Sequence, residues 1–452
     1  MGTSQFHRRD VSTKPHKTAR SNTNQFSSST SLTDSTASLK RTTTTLLQCD
    51  AMTSEQGFDV AVIGSGVFGA WTSYQLIRGG AKVVLVDAYG PGNSLASSGG
   101  ESRIIRMGYG ADLIYTQMAQ RSLVQWKELL GSSGLFQPTG VLWLAREKDA
   151  YCEAIFETLT RSKVPCEKLN RDQLVRRYPQ LEFGQVAWGI LELGSGVLLA
   201  RRAVQAVVER VQENGGTYLG EQVLPLEVMT NQEGLDQNPG AGFLNQGTPK
   251  LSLLETAAGR KIRADAFVFA CGPWLPKLFP SLLADLIHVT RQEVFFFGTP
   301  AGDDWFGPDK LPAWIDFNDL IYGLPNLDNR GVKIAIDEHG PEFDPDSGER
   351  IVSSESAAAV RRFLSRRIPA LANAPVVETR VCQYENTSNG DFLIDRHPAF
   401  ENVWIAGGGS GHGFKHGPAV GEHVAALLAG KATVEPRFSL RTKDKVQQRK
   451  VY

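Results

Sequence analysis

The stretch FDVAVIGSGVFGAWTSYQLIRGGAKVVLVDA constrains the fold more than any other part of the chain. Phe58 to Ile63 is a short apolar run of strand character, and Gly64, Gly66 and Gly69 follow it in GxGxxG spacing. From Ala70 to Arg78 the pattern continues as a helix, and KVVLVD then makes a second buried strand ending in Asp87. A bare GxGxxG is weak evidence. Here the glycines follow a strand, open a helix, and have an acid 23 positions after the first of them, which completes the dinucleotide fingerprint. The glycines let the backbone come close to a pyrophosphate, which sits at the helix N-terminus where N–H groups and the dipole point. Asp87 is placed to accept hydrogen bonds from an adenosine ribose, and its charge would repel a 2′-phosphate.

A chain of 452 residues is long enough for more than one domain. Its charges balance at a formal net of zero, which removes the electrostatic case for a nucleic-acid or acidic-membrane partner. No apolar run approaches the ~20 residues of a membrane span, so a soluble protein is expected. The five cysteines, Cys49, Cys152, Cys166, Cys271 and Cys382, are scattered without a CxxC pair. Neither a zinc knuckle nor a disulfide framework is indicated; no metal is expected, and a reducing compartment, the cytoplasm, is the natural reading.

Residues 1–56 are a different material, rich in Ser and Thr and poor in large apolar groups, and are expected to be disordered and non-catalytic. Their Arg and Lys outnumber their acids, which mildly resembles a mitochondrial transit peptide and makes the mitochondrion the alternative location. They show no convincing amphipathic stripe, and Met52 could equally serve as the start. The C-terminal RKVY is neither a peroxisomal nor an endoplasmic-reticulum address.

Further along, YGPGNSLASSGGESRIIRMGYG places Arg103 and Arg106 on either side of two isoleucines, the pattern of an apolar strand carrying cations inward. The guanidinium fork suits a carboxylate, a phosphate or a flavin carbonyl. RADAFVFACGPW reads as a strand returning to the sheet, then a Gly-Pro turn, with Cys271 as packing. Near the C-terminus, NVWIAGGGSGHGFKHGPAVGEHVAALLAG repeats the order of strand, glycine turn and helix. It brings a second helix start to the ligand, and Lys415 stands inside the cluster.

With the fingerprint, SRIIR, ENTSNGDFLIDRHP and GGGSGHGFK in this order, the chain resembles the monomeric sarcosine oxidase family over roughly residues 57–440. That family includes N-methyltryptophan, pipecolate and fructosyl-amino-acid oxidases, within the wider D-amino-acid oxidase class. The resemblance implies an α/β fold with a Rossmann-like FAD-binding domain interleaved with a mixed-sheet catalytic domain. The FAD-binding domain would take 57–140, 194–288 and 378–440, the catalytic domain 141–193 and 289–377, and 441–452 would form a tail. Gly409, Gly411 and Gly413 would allow the backbone close to the pyrimidine edge of the flavin, and Arg103 would face the cofactor. Cys382 occupies the place where these enzymes attach FAD through a thioether. Lys415 and Arg106 match the pair that clamps the substrate carboxylate, Lys333 the lysine that activates dioxygen, and Tyr322 a tyrosine of the substrate cavity.

The implied reaction is oxidation of a secondary amino acid, N-methyl or cyclic, by hydride transfer to FAD to give an imine. Dioxygen then reoxidises the flavin and leaves as hydrogen peroxide. The alternative is a dehydrogenase that hands its electrons to a quinone or carrier; Lys333 favours the oxidase. No feature of the chain fixes the oligomeric state, and a monomer is the expectation. Three departures from the family put the substrate in doubt. Asp337 stands where close sarcosine oxidases have a histidine, SSGGES replaces a histidine-rich turn, and His416 replaces a phenylalanine. They point to a substrate other than sarcosine and larger than it.

Overall fold

The strand Phe58–Ile63 lies at the centre of a mostly parallel sheet, between Val83–Val86 and Lys261–Phe269, in a computed structural model that describes residues 57–226 and 248–448. The expectations for residues 1–56, Cys49 among them, and for 449–452 lie outside the described residues. From edge to edge the sheet runs Leu393–Arg396, Val403–Gly407, Lys261–Phe269, Phe58–Ile63, Val83–Val86 and Thr217–Leu219, with Leu253–Glu255 pairing beside Lys261–Phe269. Both faces are covered, which is why its strands read as continuous apolar runs. Val60, Val62, Val83 and Leu85 face one core cluster, while Ala61, Ile63, Val84 and Val86 face another. Full burial of such a side chain contributes about 1.5–3 kcal/mol, against about 0.5–1 kcal/mol lost at a glycine in regular structure. The four buried residues of the first strand therefore outweigh the three glycines that follow it.

The helices Val67–Arg78 and Gly417–Leu428, each emerging from a glycine turn, pack against one another on this sheet. Their approach is close because a Cβ at Gly417 would meet Val67 Cγ2 at 2.6 Å, and one at Gly421 would meet the Trp71 backbone at 2.6 Å. Two segments some 340 residues apart in the chain are thereby set side by side.

A second sheet has eight strands and is mixed. Its order is Val376–Thr387, Ile287–Phe297, Val332–Ile336, Ile321–Leu324, Ala313–Asp316, Val141–Ala145, Trp188–Glu192 and Cys166–Asn170. Every neighbouring pair is antiparallel except Ala313–Asp316 with Val141–Ala145. The helix Ser354–Arg367 covers it, started by the Ser353 side chain, and shares a core with Phe295, Phe297 and Trp314. This is the α/β architecture with a mixed second sheet that the sequence implies. A third, three-stranded sheet joins Arg103–Ile105 and Phe136–Gln137 to Gly196–Leu198.

Position 378, the expected point of return to the cofactor domain, falls inside the strand Val376–Thr387. That strand pairs with Ile287–Phe297 from end to end and is an edge of the eight-stranded sheet. Cys382 thus belongs to the eight-stranded sheet. The chain crosses to the parallel sheet only at Leu393, because cross-strand pairing, not the start of the motif, decides which layer the strand joins.

Candidate active site

A cleft runs along the ends of the parallel strands, lined by Gly64, Gly66, Asp87, Cys271, Gly409 and Gly413 among others. A second cavity is lined by Arg106, Tyr322, Lys333, Asp337, His412 and Lys415. Arg103, Cys382, Tyr384, Ser410, Gly411 and Phe414 line both, so the two meet at these residues.

The three fingerprint glycines do different work. Gly64 turns the chain with φ +99°, and Gly69 lets the helix approach, since a Cβ there would lie 1.8 Å from Gly64 O. Gly69 does not line the cleft. At Gly66 a Cβ would meet nothing nearer than Ser98 Oγ at 3.6 Å, so protein packing does not explain this glycine. Space beside it is kept for a ligand that comes close to backbone. Asp87 closes the turn: Oδ2 accepts from Ser65 N at 2.7 Å and Oδ1 from Tyr89 N and Gly90 N, both at 2.8 Å. It still borders the cleft, and carboxylate oxygens can take further donors such as ribose hydroxyls. This donor set fits a dinucleotide lying along the cleft.

At the junction, Cys382 Sγ accepts from Arg103 Nη2 at 3.1 Å. Arg103 is itself held by the carbonyls of Ser97 and Ser102.

Arg106 and Lys415 are 7% and 4% exposed. The Arg106 guanidinium lies between the rings of Tyr109 and Trp143, 4.5 and 4.8 Å from their centroids, and donates to Gly108 O. The turn that carries it is fixed by Glu192, fully buried, which accepts from Met107 N, Gly108 N and Trp143 Nε1 at 2.8–2.9 Å. Lys415 Nζ donates to Tyr109 Oη and His412 O, each at 2.8 Å, while Trp126 Nε1 holds its carbonyl. Burial, then Arg106, pushes the Lys415 ammonium well below the usual lysine range. Tyr109 Oη also reaches His416 Nε2 at 2.7 Å. Burial and Lys415 push His416 well below the usual histidine range, so its imidazole is neutral.

Asp337 faces the same cavity. Its Oδ1 accepts from Tyr384 Oη at 2.9 Å, and burial pushes its carboxyl up to about 6 against the pull of that bond, Arg106 and Lys415. Lys333, 3% exposed, donates to Ser102 O at 2.9 Å. Burial, then Arg103, pushes its ammonium well below the usual range. The Tyr322 ring centroid is 5.8 Å from Lys333 Nζ. The site residues read from the sequence thus converge on two joined cavities, Gly69 excepted. Tyr109, Glu192 and Tyr384 were not legible; the aromatic just after SRIIRM was the only local signal for Tyr109.

The FAD dependent oxidoreductase family matches residues 59–427. Monomeric sarcosine oxidase of Bacillus sp. (strain B-0618) is 32% identical over 389 residues, covering 83% of this chain and 93% of that protein. N-methyl-L-tryptophan oxidase of Yersinia pestis (strain Pestoides F) is 28% identical over 381 residues, covering 82% and 95%. Among solved structures, a thermally stable mutant of fructosyl peptide oxidase aligns with a TM-score of 0.71 at 22% identity, over 87% and 96% of the two chains. L-proline dehydrogenase from P. horikoshii aligns with a TM-score of 0.70 at 21% identity, over 85% and 97%. Those two likenesses speak for the fold. The match of sequence from the first strand to the helix behind the second glycine turn goes further, and by it the chain belongs to the FAD dependent oxidoreductase family, among the relatives of monomeric sarcosine oxidase.

Proposed function

We propose that this protein is an oxidase of secondary amino acids, N-methyl or cyclic, that works with FAD attached through Cys382 and releases hydrogen peroxide. The observation that carries the reading is the pair of buried cations, Arg106 and Lys415, lining a cavity that joins the dinucleotide cleft at Cys382. What bound FAD supplies is a two-electron acceptor for the substrate C–H bond and a donor to dioxygen.

The residues of the chain account for the rest. Gly64, Gly66 and Asp87 would hold the adenosine and pyrophosphate end, and Gly409, Gly411 and Gly413 would border the flavin end. Arg106 and Lys415 bind the substrate carboxylate, since a buried pair of cations is relieved by an anion. Tyr109 sets the Lys415 ammonium toward the cavity, and Glu192 sets the Arg106 turn. Asp337, ionised above about pH 6, offers its carboxylate to the substrate amine. Tyr322 walls the cavity beside Lys333. Lys333, buried, offers positive charge where negative charge develops during reduction of dioxygen. Arg103 holds the Cys382 sulfur at the junction of the two cavities, where a thioether to the flavin would form. The protein acts as a monomer on a small molecule, in the cytoplasm, or in the mitochondrion if residues 1–56 are a transit peptide. Among the described residues no helix is long and apolar enough to cross a membrane.

The test is peroxide release across a panel of N-methyl and cyclic amino acids, with the flavin assayed after acid precipitation. Peroxide with at least one secondary amino acid and flavin retained by the pellet are expected; Cys382→Ser should release the flavin. Reduction of a quinone or dye without peroxide would make it a dehydrogenase, and flavin lost from the wild-type pellet would remove the thioether.

A further inference from the structure

Glu385 is a buried acid for which the reaction above has no use. It lies three residues after Cys382 in the strand Val376–Thr387 and is 8% exposed. Its Oε1 accepts the backbone N–H of Gly409 at 3.1 Å. Its Oε2 is buried without a hydrogen-bond partner among the described residues, although Glu385 borders the same cleft as Gly66 and Asp87. A polar atom left this way is costly, and a native fold keeps such a cost where a ligand removes it.

The surroundings say what form the carboxyl takes. From the turn after Lys261–Phe269 it is faced by Cys271, whose thiol burial, Asp87 and Glu385 itself push well above the usual range. The turn around 407–410 offers the amides of Gly408 and Gly409, and the paired strand places Val289 opposite. Burial pushes the carboxyl up to about 7, with only those two amides pulling it back. No basic side chain is among the groups that act on it. An ionised carboxylate would therefore put an uncompensated negative charge on a cleft suited to a pyrophosphate.

We propose that Glu385 is a cofactor-binding residue that enters the FAD complex as the neutral acid, its Oε2 donating a hydrogen bond to an oxygen of the chain linking the two ring systems. Oε1 keeps the Gly409 amide, and the acid proton satisfies both the orphaned oxygen and the ligand. The acceptor is a phosphate or a ribityl oxygen, which share this chemistry. Binding then takes up one proton wherever free Glu385 is ionised. Below about pH 7 affinity is level; above it, affinity falls tenfold per pH unit.

The experiment uses Cys382→Ser protein stripped of flavin, so that binding is reversible, with FAD fluorescence quenching followed from pH 6 to pH 9. The expected dissociation constant is level to about pH 7 and roughly 100-fold weaker at pH 9, one decade per unit. Adding Glu385→Gln should flatten the profile and make pH 9 binding tighter than in the parent, with thermal melting confirming that each variant is folded. ADP, competed against FAD, carries the phosphates without the ribityl chain. The same pH dependence for ADP assigns the bond to phosphate, and a level ADP profile assigns it to ribityl; either supports the proposal. A parent whose FAD affinity is level between pH 7 and pH 9, or a Glu385→Gln variant that keeps the parent's slope, overturns it. No turnover is measured, so failure of the oxidase reading would leave the result standing.

Discussion

The glycine turn at 64–69 and the one at 407–413 each join a buried strand to a helix, and the two helices pack on one another, yet they meet the cavities by different means. In the first, Gly66 faces open cleft and the chain offers backbone to a ligand. In the second, the glycines that line the cleft are also packed tightly against protein. A Cβ at Gly411 would lie 2.7 Å from the Tyr384 ring, and one at Gly413 would lie 2.9 Å from Gly409 Cα and 3.0 Å from Phe68. What that turn gives the cavity is side chains, His412 and Lys415, held in place because the backbone beneath them is so tightly packed. One turn leaves backbone open to the cleft; the other is packed tightly and mounts side chains.

The largest effect should follow from removing what the mount carries. Lys415→Met takes one of two charged partners from a carboxylate in a buried site, a loss of about 2–5 kcal/mol, or roughly 30- to several-thousand-fold in binding. The matched amine without a carboxylate should bind about equally to both proteins. Flavin content should not change. Anaerobic flavin reduction with matched acid and amine substrates measures this. If the variant prefers acid over amine as sharply as the wild type, the lysine is part of the scaffold and the contrast between the two turns collapses.

Next comes the mount itself. Gly411 has φ +77°, and an alanine there must bear both that conformation and the Tyr384 ring. Left-handed strain costs about 1–2 kcal/mol and overpacking about 1–3 kcal/mol. Gly411→Ala is therefore expected to lower stability by about 2–5 kcal/mol, read by denaturant unfolding of the flavin-free protein. A loss confined to flavin binding, with stability unchanged, would mean that this turn also works through its backbone.

The difference between the turns explains what was legible in the sequence. Strand, glycine spacing and helix are local properties, so both turns and the parallel sheet could be read from 30-residue windows. Lys333 was legible through the resemblance, supported by Val332 and Ile334 on either side of it. Tyr109 and Glu192 were not, since their meaning depends on contacts 306 and 85 residues away, to Lys415 and Met107. Glu385 stood inside a quoted motif without notice; only burial and an unpaired oxygen distinguish it. The layer that the strand Val376–Thr387 joins was not legible for a related reason. Its exposed and buried positions alternate like those of any edge strand, and only pairing with Ile287–Phe297 says which sheet it joins.

The smallest effect on the fold, and the sharpest on the comparison, is expected at Gly66. It is the N-cap of the helix Val67–Arg78 with φ −67°, a conformation open to any residue, and its Cβ would have room. Alanine is a poorer N-cap than glycine but a better chain stiffener, so Gly66→Ala should change stability by less than about 1 kcal/mol. A methyl group set where a ligand touches backbone is overpacking of the complex, about 1–3 kcal/mol, or roughly 5- to 150-fold in FAD affinity. The variant should fold as well as its parent and hold flavin poorly, the reverse of Gly411→Ala. Titration of FAD into the stripped Cys382→Ser protein, with and without Gly66→Ala, reads the affinity, and thermal melting of the same samples reads the fold. Unchanged affinity would mean that the cofactor does not press on this backbone, and the first turn would then have no more claim to direct contact than the second.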